Sequence, residues 1–426
     1  PPIRDNVIRE CYYGIDYRSN GLASVRIEGN EISQCSHIGI TCWGLGPNAA
    51  ITGDSVWNCP QGIVIYSGSS TITGNAVGAE WYVTDKEIAI TTLGGVVSGN
   101  RIKGYDYGVK AAGGNPAVQG NTFFGRGAWM YPIWHAGGVP TVSGNVFVDS
   151  CYQGIAVSGS IGQNVTWDGV VQGDTWPYVV VGYFSVPSGR ALTLVPGTVV
   201  KFDADISRSN SFAVAGLLDL RSTRTRPIYF TSSRDDSVGG NLKPHDGPPA
   251  RGDWASLNFT NGDNVIRHCV LRYGGYSSMY DHMLGASGCS PTIDSCRFSH
   301  CASRTIEINY SPTSPVTAPP ICDNVMDSCS YNGIWYQGNG LVQVSLLRNT
   351  ILGTSPVGSS RGIHCYHIAT GSSIHGNVVR RFNYGLSLWD APARVEFNTV
   401  DSNWCGVVCD FAPLPVVNYN SISGNS

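Results

Sequence analysis

The sequence predicts an all-β solenoid, in which short parallel strands are wound into stacked coils. A motif of about 21–29 residues recurs along the chain and contains two strand-like segments. The first segment begins with an apolar residue, a spacer and often a Gly. An Asn, any residue, and an Ile or Val follow, as in residues 72–77 and 97–102. The second, Gly-Ile-x-apolar, follows some eight to ten residues later, as in residues 39–42 and 62–65. Many short alternating segments joined by turns indicate stacked coils rather than a sandwich.

Within each segment, alternation assigns the side chains to two faces. Ile15 and Tyr17 point to one face and Asp16 to the other, because successive strand residues alternate. Coils stacked about 4.8 Å apart would bury the Ile and Val positions in one continuous core.

An asparagine recurs where the chain turns between the strands. The spacing from Asn6 to Asn30 to Asp54 is 24 residues twice, and Asp54 and Ser295 take the asparagine's place in two coils. We expect the stacked amides to form a hydrogen-bonded ladder and to tolerate the left-handed backbone of a tight corner. The role is structural. The predicted column comprises Asn6, Asn30, Asn75, Asn100, Asn121, Asn145, Asn264, Asn324, Asn349, Asn377, Asn398 and Asn420.

These motifs resemble the repeats of the pectate-lyase-like superfamily, in the bacterial secreted or surface type. The resemblance covers nearly the whole chain and implies a right-handed, single-stranded parallel β-helix. It also implies an extracellular or cell-surface location. That fold carries lyases, hydrolases, esterases, epimerases, adhesins and inert stalks, so the resemblance specifies the fold and leaves the activity open.

Composition excludes several classes of function. The net charge is −3 with charged residues at 13%, so no basic stripe favours nucleic acid or an anionic membrane. No stretch of 18 or more apolar residues occurs, so the sequence predicts no membrane span.

The 14 cysteines follow the repeat. Cys11, Cys35 and Cys59 are 24 residues apart and occupy one position before the Gly-Ile segment. One interpretation is a ladder of small inward-facing hydrophobic side chains. The other is one or more bridges in an oxidising compartment, such as Cys301–Cys329 or Cys296–Cys322. The absence of any Cys-x-x-Cys pair disfavours metal binding.

The chain divides into two predicted blocks, residues 1–165 and 166–426. Between Asn145 and Asn264 the asparagine column lapses and longer β-like segments appear. Residues 192–202 resemble the phrase that opens a new β-helix in secreted surface proteins. The two blocks are therefore expected to be stacked end to end or kinked where they join.

A long acidic loop interrupts the second block. Asp235, Asp236 and Asp246 could hold a Ca²⁺ ion through carboxylate and carbonyl oxygens. The alternative is that Asp and Gly simply form turns in this loop.

The outward positions of the Gly-Ile segments form one predicted face. Aromatic rings among amides, imidazoles and carboxylates are typical of surfaces that bind sugar chains. The alternative is a solvated sheet face on which Trp and Tyr are favoured by β propensity. Asp16, Arg18, Trp43 and Tyr66 form a poorer version in the first block. The predicted carbohydrate-binding residues are Glu307, Asn309, Trp335, Gln337, His364, Tyr366, Trp389, Asp390 and Asp410.

The function we predict is an extracellular or cell-surface scaffold that contacts a glycan and assembles into fibres. Neither end of the sequence carries an evident cap, which indicates either a longer polypeptide or head-to-tail self-association. The alternative is a polysaccharide lyase or glycoside hydrolase in the groove of the C-terminal coils, where Asp390 and Asp410 lie one coil apart. The Asp-Pro-His-Glu phrase of β-helical epimerases and the paired Asp of polygalacturonases are absent, which favours a non-enzymatic role.

Overall fold

The computed structural model describes residues 2–80, 87–125, 130–148, 151–206, 210–242, 247–276, 281–354, 358–411 and 415–425. In these ranges the chain forms β-strands and one 3-10 turn, Ala204–Ile206, and no α-helix. Of the strand pairs that these ranges contain, one is antiparallel, between Val170–Val171 and Asp174–Thr175. The strands form about 16 turns of a parallel β-solenoid, which confirms the predicted right-handed parallel β-helix.

The contacts between residues divide the chain into two units. Unit 1 contains Pro1–Gly162, Gly169–Val179 and Leu242–Pro244, and unit 2 contains Gln163–Asp168, Val180–Asn241 and His245–Ser426. The boundary predicted between residues 165 and 166 stays a prediction, since the units interleave along the chain there. In each unit a coil crosses three sheets in turn, which we name face A, face B and face C.

Unit 1 has seven strands in each face. Face A contains Ile3–Arg4, Arg26–Glu28, Ala49–Thr52, Ser70–Thr73, Gly95–Ser98, Ala117–Gln119 and Thr141–Ser143. Face B contains Val7–Arg9, Glu31–Ser33, Ser55–Trp57, Ala76–Gly78, Arg101–Lys103, Thr122–Phe124 and Val146–Val148. Face C contains Tyr13–Arg18, Ile38–Trp43, Gln61–Ile65, Ile88–Thr92, Tyr107–Ala111, Tyr131–Ala136 and Ile155–Ser160.

Unit 2 repeats the arrangement with longer faces. Face A contains Val165–Trp167, Ala191–Leu194 and Leu217–Leu220, and then Val265–Arg267, Thr292–Asp294, Ile321–Cys322, Ser345–Leu347, Ser373–His375, Arg394–Glu396 and Val416–Asn418. Face B contains Val199–Phe202, Ile228–Ser232, Cys269–Arg272, Arg297–Ser299, Val325–Cys329, Thr350–Gly353, Val378–Arg380, Thr399–Asp401 and Ser421–Ser423. Face C contains Ser211–Val214, Ser256–Phe259, His282–Ser287, Arg304–Asn309, Asn332–Gln337, Arg361–Tyr366, Tyr384–Trp389 and Cys405–Asp410. Tyr178–Val186 begins in unit 1 and continues into unit 2, and Val316–Thr317 pairs with Val342–Gln343 outside the faces.

The core of each unit is built from columns of identical positions. In face A of unit 1, Ile27, Ile51, Ile72, Val97 and Val118 are paired in register on successive coils. Each is at most 1% exposed. The predicted alternation therefore places the Ile and Val side chains inside the coil.

The predicted asparagine ladder is present at the corner between faces A and B. The Asn75 side-chain amide donates to Asn100 Oδ1 at 2.9 Å, and the Asn100 amide donates to Asn121 Oδ1 at 2.9 Å. Each amide also donates to a carbonyl of the preceding coil, as Asn100 does to the Ile72 carbonyl at 2.9 Å. The ladder satisfies backbone and side-chain groups that are buried away from water.

The left-handed backbone lies one residue earlier than predicted. Gly74, Gly99 and Gly120, which precede column asparagines, have φ of 68°, 61° and 62°. The asparagines of the column do not adopt positive φ. The Gly of the Gly-Asn motif is thus explained by its own conformation, because glycine enters this region at no steric cost.

Two members of the predicted column were placed wrongly. Asn264 lies before the strand Val265–Arg267, where its Oδ1 accepts from the Leu218 N–H at 2.7 Å. Cys269 and Cys296 follow the face A strands at the ladder position, and the Cys296 N–H donates to Asn324 Oδ1 at 2.9 Å. Ser295 has a φ of 54° and occupies the left-handed position instead.

The cysteine column of unit 1 is the counterpart of this ladder at the corner between faces B and C. Cys11, Cys35 and Cys59 each follow a residue with positive φ, namely Glu10, Gln34 and Asn58. Cys296, Cys301, Cys322 and Cys329 are thiols, so the bridges Cys301–Cys329 and Cys296–Cys322 are not formed in the structure. Cys301 Sγ donates to the Arg304 carbonyl at 3.2 Å, and Cys322 Sγ contacts Asp294 Oδ1 at 3.7 Å.

We predict that Asn377→Ala destabilises unit 2 by about 2 kcal/mol or more. The substitution removes the acceptor for both the backbone N–H and the side-chain amide of Asn349, which are 2.9 and 3.0 Å from Asn377 Oδ1. Each buried donor left without a partner costs about 1–3 kcal/mol. Urea unfolding followed by circular dichroism measures the effect. Asn418→Ala, on an exposed asparagine of the same unit, should change the stability by less than about 0.5 kcal/mol, and equal shifts would contradict the ladder's role.

His135 predicts a pH dependence in unit 1. Burial lowers the pKa of His135 to about 3, and its Nδ1 is buried with no hydrogen-bond partner. The folded chain therefore holds this ring neutral, whereas the unfolded chain protonates it near pH 6.5. Because the unfolded state binds the extra proton between these values, stability should fall as the pH is lowered from about 6.5 toward 3. The loss contributed by His135 is about 2 kcal/mol between pH 7.5 and pH 5. His135→Leu should flatten the dependence of the free energy of unfolding on pH. Parallel curves for the two proteins would refute the role of His135.

Candidate functional site

Face C of unit 2 presents two outward rows of side chains. One, the Glu307 row, contains Glu307, Trp335, His364, Ser387 and Val408 in register on successive coils. The other, the Asn309 row, contains Asn309, Gln337, Tyr366, Trp389 and Asp410. Ile334, Ile363 and Leu386 lie inside the coil at 0% exposure, as the alternation predicts.

The Glu307 row is less open than the sequence indicates. Glu307 is 7% exposed and His364 is 3% exposed, and Trp335 is only partly exposed. Trp335 does not share a row with Tyr366 and Trp389, because it is in register with Glu307 and His364. These side chains are packed against one another instead of being left to solvent.

Two arginine side chains and one histidine ring lie near the indole ring of Trp335. The Arg304 guanidinium lies 4.1 Å from the ring centroid, and the His364 ring centroid lies 4.2 Å away. The Arg361 guanidinium is 5.9 Å away. A cation stacked on an indole is itself a favourable contact. A sugar ring that stacked on Trp335 would therefore compete with these contacts.

Glu307 has its carboxylate oxygens paired with neighbouring side chains. Oε1 accepts from Arg304 Nη1 at 2.8 Å and from Asn309 Nδ2 at 2.9 Å, and Oε2 is 3.1 Å from His282 Nδ1. Burial by itself would raise the pKa of Glu307, but the hydrogen bonds from His282 and Asn309 and the charge of Arg304 bring it below its usual value. Glu307 is therefore an ionised, fully engaged carboxylate.

His282 is a member of this cluster that the sequence analysis missed. Its Nε2 is 2.5 Å from Asn258 Oδ1, and Asn258 Nδ2 donates to Ser256 Oγ at 2.6 Å. Both ring nitrogens face side-chain oxygen atoms in this arrangement. Its strand, His282–Ser287, lacks the Gly-Ile motif on which the sequence search depended. Register with Arg304 would have located it.

His364 lies at the centre of the Glu307 row. Burial, aided by the charges of Arg361 and Arg304, lowers the pKa of His364 to about 3. Its Nδ1 lies 3.0 Å from Ser387 Oγ. The ring is therefore neutral at neutral pH and serves as a packing element between Trp335 and Trp389.

A second set of aromatic rings lies along the Asn309 row, where Tyr366 and Trp389 are partly exposed. The Tyr366 and Trp389 ring centroids are 6.2 Å apart, and the Trp389 and Phe411 centroids are 5.7 Å apart. Phe411 is 70% exposed. We name Tyr366, Trp389 and Phe411 the aromatic edge. Phe411 was missed because it follows the strand at a φ of 62°, where strand alternation makes no prediction.

Polar side chains border the aromatic edge. Gln337 and Asp410 belong to the same row and are partly exposed. Asp390 Oδ2 pairs with His367 Nδ1 at 2.6 Å, and Asp390 lies in the corner after its strand at a φ of 46°. Asp390 and Asp410 therefore have different surroundings, because the Asp390 carboxylate is paired with His367.

Unit 1 carries a smaller aromatic surface of its own. Trp43 and Tyr66 are stacked with ring centroids 4.1 Å apart, and they are 41% and 42% exposed. Arg18 and Asp16 form an ion pair of 2.9 Å in the adjoining strand. The sequence analysis named all four residues.

The predicted calcium loop contains its own cations. Asp235 Oδ2 lies 2.5 Å from Arg272 Nε and 2.5 Å from Thr231 Oγ1, and Ser237 Oγ donates to Oδ1 at 2.6 Å. The fully buried Lys201 donates to the Asp235 carbonyl at 3.0 Å. Asp236 is exposed, and Asp246 lies outside the described residues. These contacts leave the Asp235 carboxylate little capacity for an ion, and calcium stays a prediction.

A cluster of two carboxylates and a thiol has ligand atoms close enough together to be compared with a metal site. Among the residues that the structure describes, Asp294, Cys322 and Asp323 are the one set of three potential ligands that converge. Arg267 and Arg348 bind the two carboxylates at 2.7 and 2.6 Å. Burial, followed by the two carboxylates, raises the pKa of Cys322 to about 11. Paired carboxylates and a protonated thiol make this group an ion-pair cluster.

Comparison with known proteins gives one match. Residues 2–85 match the family model of NosD, described as a periplasmic copper-binding protein. Neither the curated proteins nor the solved structures include a match to the chain. No helix in the described part of the chain is long and apolar enough to cross a membrane. The match and the stacked parallel sheets together identify the chain as a right-handed parallel β-helix repeat protein.

Proposed function

We propose that this protein is an exported β-helical scaffold, periplasmic or at the cell surface, that contacts a glycan along the aromatic edge. The observation that carries the proposal is the succession of Tyr366, Trp389 and Phe411 on adjacent coils, with Phe411 70% exposed. Aromatic side chains with polar neighbours supply the apolar platforms and hydrogen bonds that a sugar chain requires.

The division between the two rows supports this location for the glycan. In the Glu307 row the Glu307 carboxylate and the Trp335 ring already contact neighbouring side chains, so a ligand would have to displace those contacts. In the Asn309 row, Gln337 and Asp410 border the rings and remain partly open to solvent. A ligand there adds contacts without displacing any that the structure shows.

The proposed location outside the cytoplasm is supported by the matched family. Its description is periplasmic, and the match covers residues 2–85. The repeat and the absence of a membrane-crossing helix among the described residues agree with an exported scaffold. Head-to-tail self-association remains a prediction, which light scattering would test.

A second candidate function, a polysaccharide lyase or glycoside hydrolase, is favoured by the His282 cluster. His282 is partly exposed, and Glu307 and Asn258 hold its two nitrogens. An imidazole oriented by a carboxylate and flanked by Arg304 has the composition of a proton-transfer site. In this alternative His282 would transfer the proton and Glu307 would position it.

We predict that the double substitution Trp389→Ala and Phe411→Ala weakens glycan binding by about 10-fold or more, since each aromatic contact contributes about 0.5–1.5 kcal/mol. Affinity electrophoresis in gels that contain acidic or neutral polysaccharides, followed by calorimetry, measures the loss. Trp404→Ala is the matched control, because Trp404 is 57% exposed in the same unit but lies away from the aromatic edge. Equal losses in the control, or no binding by the unsubstituted protein, would refute the proposal.

For the enzymatic alternative, we predict that incubation with the bound polysaccharide releases reducing or unsaturated ends, and that His282→Ala abolishes the release. Glu307→Gln should reduce the rate while leaving glycan affinity at the aromatic edge unchanged. If the unsubstituted protein releases no such ends from any polysaccharide that it binds, the enzymatic alternative is wrong and the binding function is unaffected.

A further inference from the structure

A cavity of about 490 Å³ lies at the corner between faces A and B of unit 2. Its lining includes Val270, Arg297, Val325 and Thr350, which are paired in register on successive strands of face B. The residue that follows each of them lies inside the coil, as Phe298 does at 0% exposure. The row therefore faces outward, and its successive residues are about 4.8 Å apart.

Three arginines line this cavity, and one of them already has a carboxylate partner. Arg348 Nε donates to Asp323 Oδ1 at 2.8 Å, and Arg348 Nη2 donates to Asp323 Oδ2 at 2.6 Å. Asp323 is the one carboxylate among the described residues of the lining. Arg224 and Arg297 are exposed and have no acidic partner in the described part of the chain. The cavity therefore has two guanidinium charges that no carboxylate compensates.

The turn that carries Arg224 is tied to the neighbouring coil. Thr223 and Arg226 exchange backbone N–H to carbonyl hydrogen bonds, both of 3.2 Å, on either side of Arg224. The Ser222 hydroxyl donates to the Arg267 carbonyl of the next coil. The stacking of the coils therefore sets the backbone position of Arg224 beside the cavity.

We propose that this cavity binds the phosphate group of a phosphate monoester between Arg224 and Arg297. A guanidinium group presents its N–H donors in a planar fork that binds phosphate oxygens in pairs. The phosphate of a monoester carries a charge of about −1.5 to −2 at pH 7, which two guanidinium groups balance. A carboxylate carries a single charge and would leave one of the two arginines without a partner.

Other side chains of the lining complete the site. The Thr350 hydroxyl lies two coils after Arg297 in the same row, and the His268 ring comes from the coil before it. Both can donate a hydrogen bond to a phosphate oxygen. Val270 and Val325 flank Arg297, and Val325 is 40% exposed. These apolar side chains offer a contact surface to the carbon atoms of the molecule that carries the phosphate.

The volume of the cavity indicates that this molecule is larger than the phosphate ion. Pockets that enclose small organic ligands measure roughly 300–1,000 Å³, and this cavity measures about 490 Å³. A free phosphate ion would fill a small part of that space and would leave the apolar side chains uncovered. We therefore expect a sugar phosphate to bind more tightly than inorganic phosphate.

A second cavity of similar volume lacks the excess of positive charge. It measures about 480 Å³, and its lining includes Arg234, Asp235 and Asp236. Arg234 pairs with Asp253 at 3.4 Å, and Arg272 pairs with Asp235 at 2.5 Å. The cations beside that cavity are therefore compensated, and we assign the phosphate to the cavity between faces A and B.

Calorimetry on the full chain at constant ionic strength tests the proposal with glucose 6-phosphate, inorganic phosphate, glucuronate and glucose. Glucose 6-phosphate should bind, inorganic phosphate should bind about 10-fold more weakly, and glucose should not bind. Equal affinities for the two phosphates would support the anion site and assign it to the free ion. Glucuronate that binds as tightly as glucose 6-phosphate would overturn the assignment to phosphate.

Substitution of the exposed arginines locates the site. Arg224→Gln and Arg297→Gln should each weaken the binding of glucose 6-phosphate by about 10-fold or more, because each removes charged hydrogen-bond donors. Asp323→Asn should strengthen binding, since it removes the negative charge that holds Arg348. Arg394→Gln is the control, on an exposed arginine of the same unit outside the lining. Absence of phosphate binding, or an equal loss in the Arg394→Gln protein, would overturn the proposal.

This site and the aromatic edge can be tested separately. The aromatic edge borders face C, whereas the cavity lies between faces A and B. The double substitution Trp389→Ala and Phe411→Ala should therefore leave the affinity for glucose 6-phosphate unchanged. A loss as large as that of Arg297→Gln would place the sugar phosphate at the aromatic edge and overturn the proposal.

Discussion

The hydrogen-bonded corner between faces A and B is the constraint on which the coil depends. There the chain reverses through a left-handed residue, which leaves backbone N–H groups inside the protein and away from strand partners. The next coil satisfies them: the Asn349 N–H and side-chain amide both meet Asn377 Oδ1. Each coil therefore completes the one before it, which explains why the requirement recurs with every repeat.

The same corner accepts a cysteine where an asparagine is absent, because the thiol can meet the same backbone groups. Cys296 holds the ladder position before Asn324, and Cys35 holds the equivalent position at the second corner. The Cys296 thiol donates to the Ile266 and Asp294 carbonyls, both at 3.4 Å, where a column asparagine donates through its side-chain amide. Equivalent side chains at this corner on adjacent coils are spaced about 4.8 Å apart, whichever residue is present. Stacked cysteines are consequently held at a distance set by the backbone.

The parts of the structure that could be predicted from sequence are those that depend on one coil and its repetition. The buried Ile334 and the ladder asparagine Asn377 belong to this class, because their positions follow from strand alternation and spacing. Cys296 could not be assigned to the ladder, since a search for amides passes over a thiol with the same geometry. His282 was missed because its strand lacks the Gly-Ile motif, although its contact with Glu307 is made across adjacent coils.

On the outward face, too, the sequence of one coil does not predict which side chains of the next coil cover a residue, and this coverage affects binding. Alternation places Trp335 outward correctly, but exposure depends on whether Arg304 of the preceding coil covers the ring, and it does at 4.1 Å. Trp389 is also outward, yet its neighbour on the far side is Phe411, which is itself open to solvent. The two tryptophans, both partly exposed, thus differ in their neighbours: a guanidinium against Trp335 and an exposed ring beside Trp389. On a solenoid, the contacts that an outward side chain makes depend on the neighbouring coils. A ligand gains most where it adds contacts without displacing existing ones, and we place it at the Asn309 row for that reason.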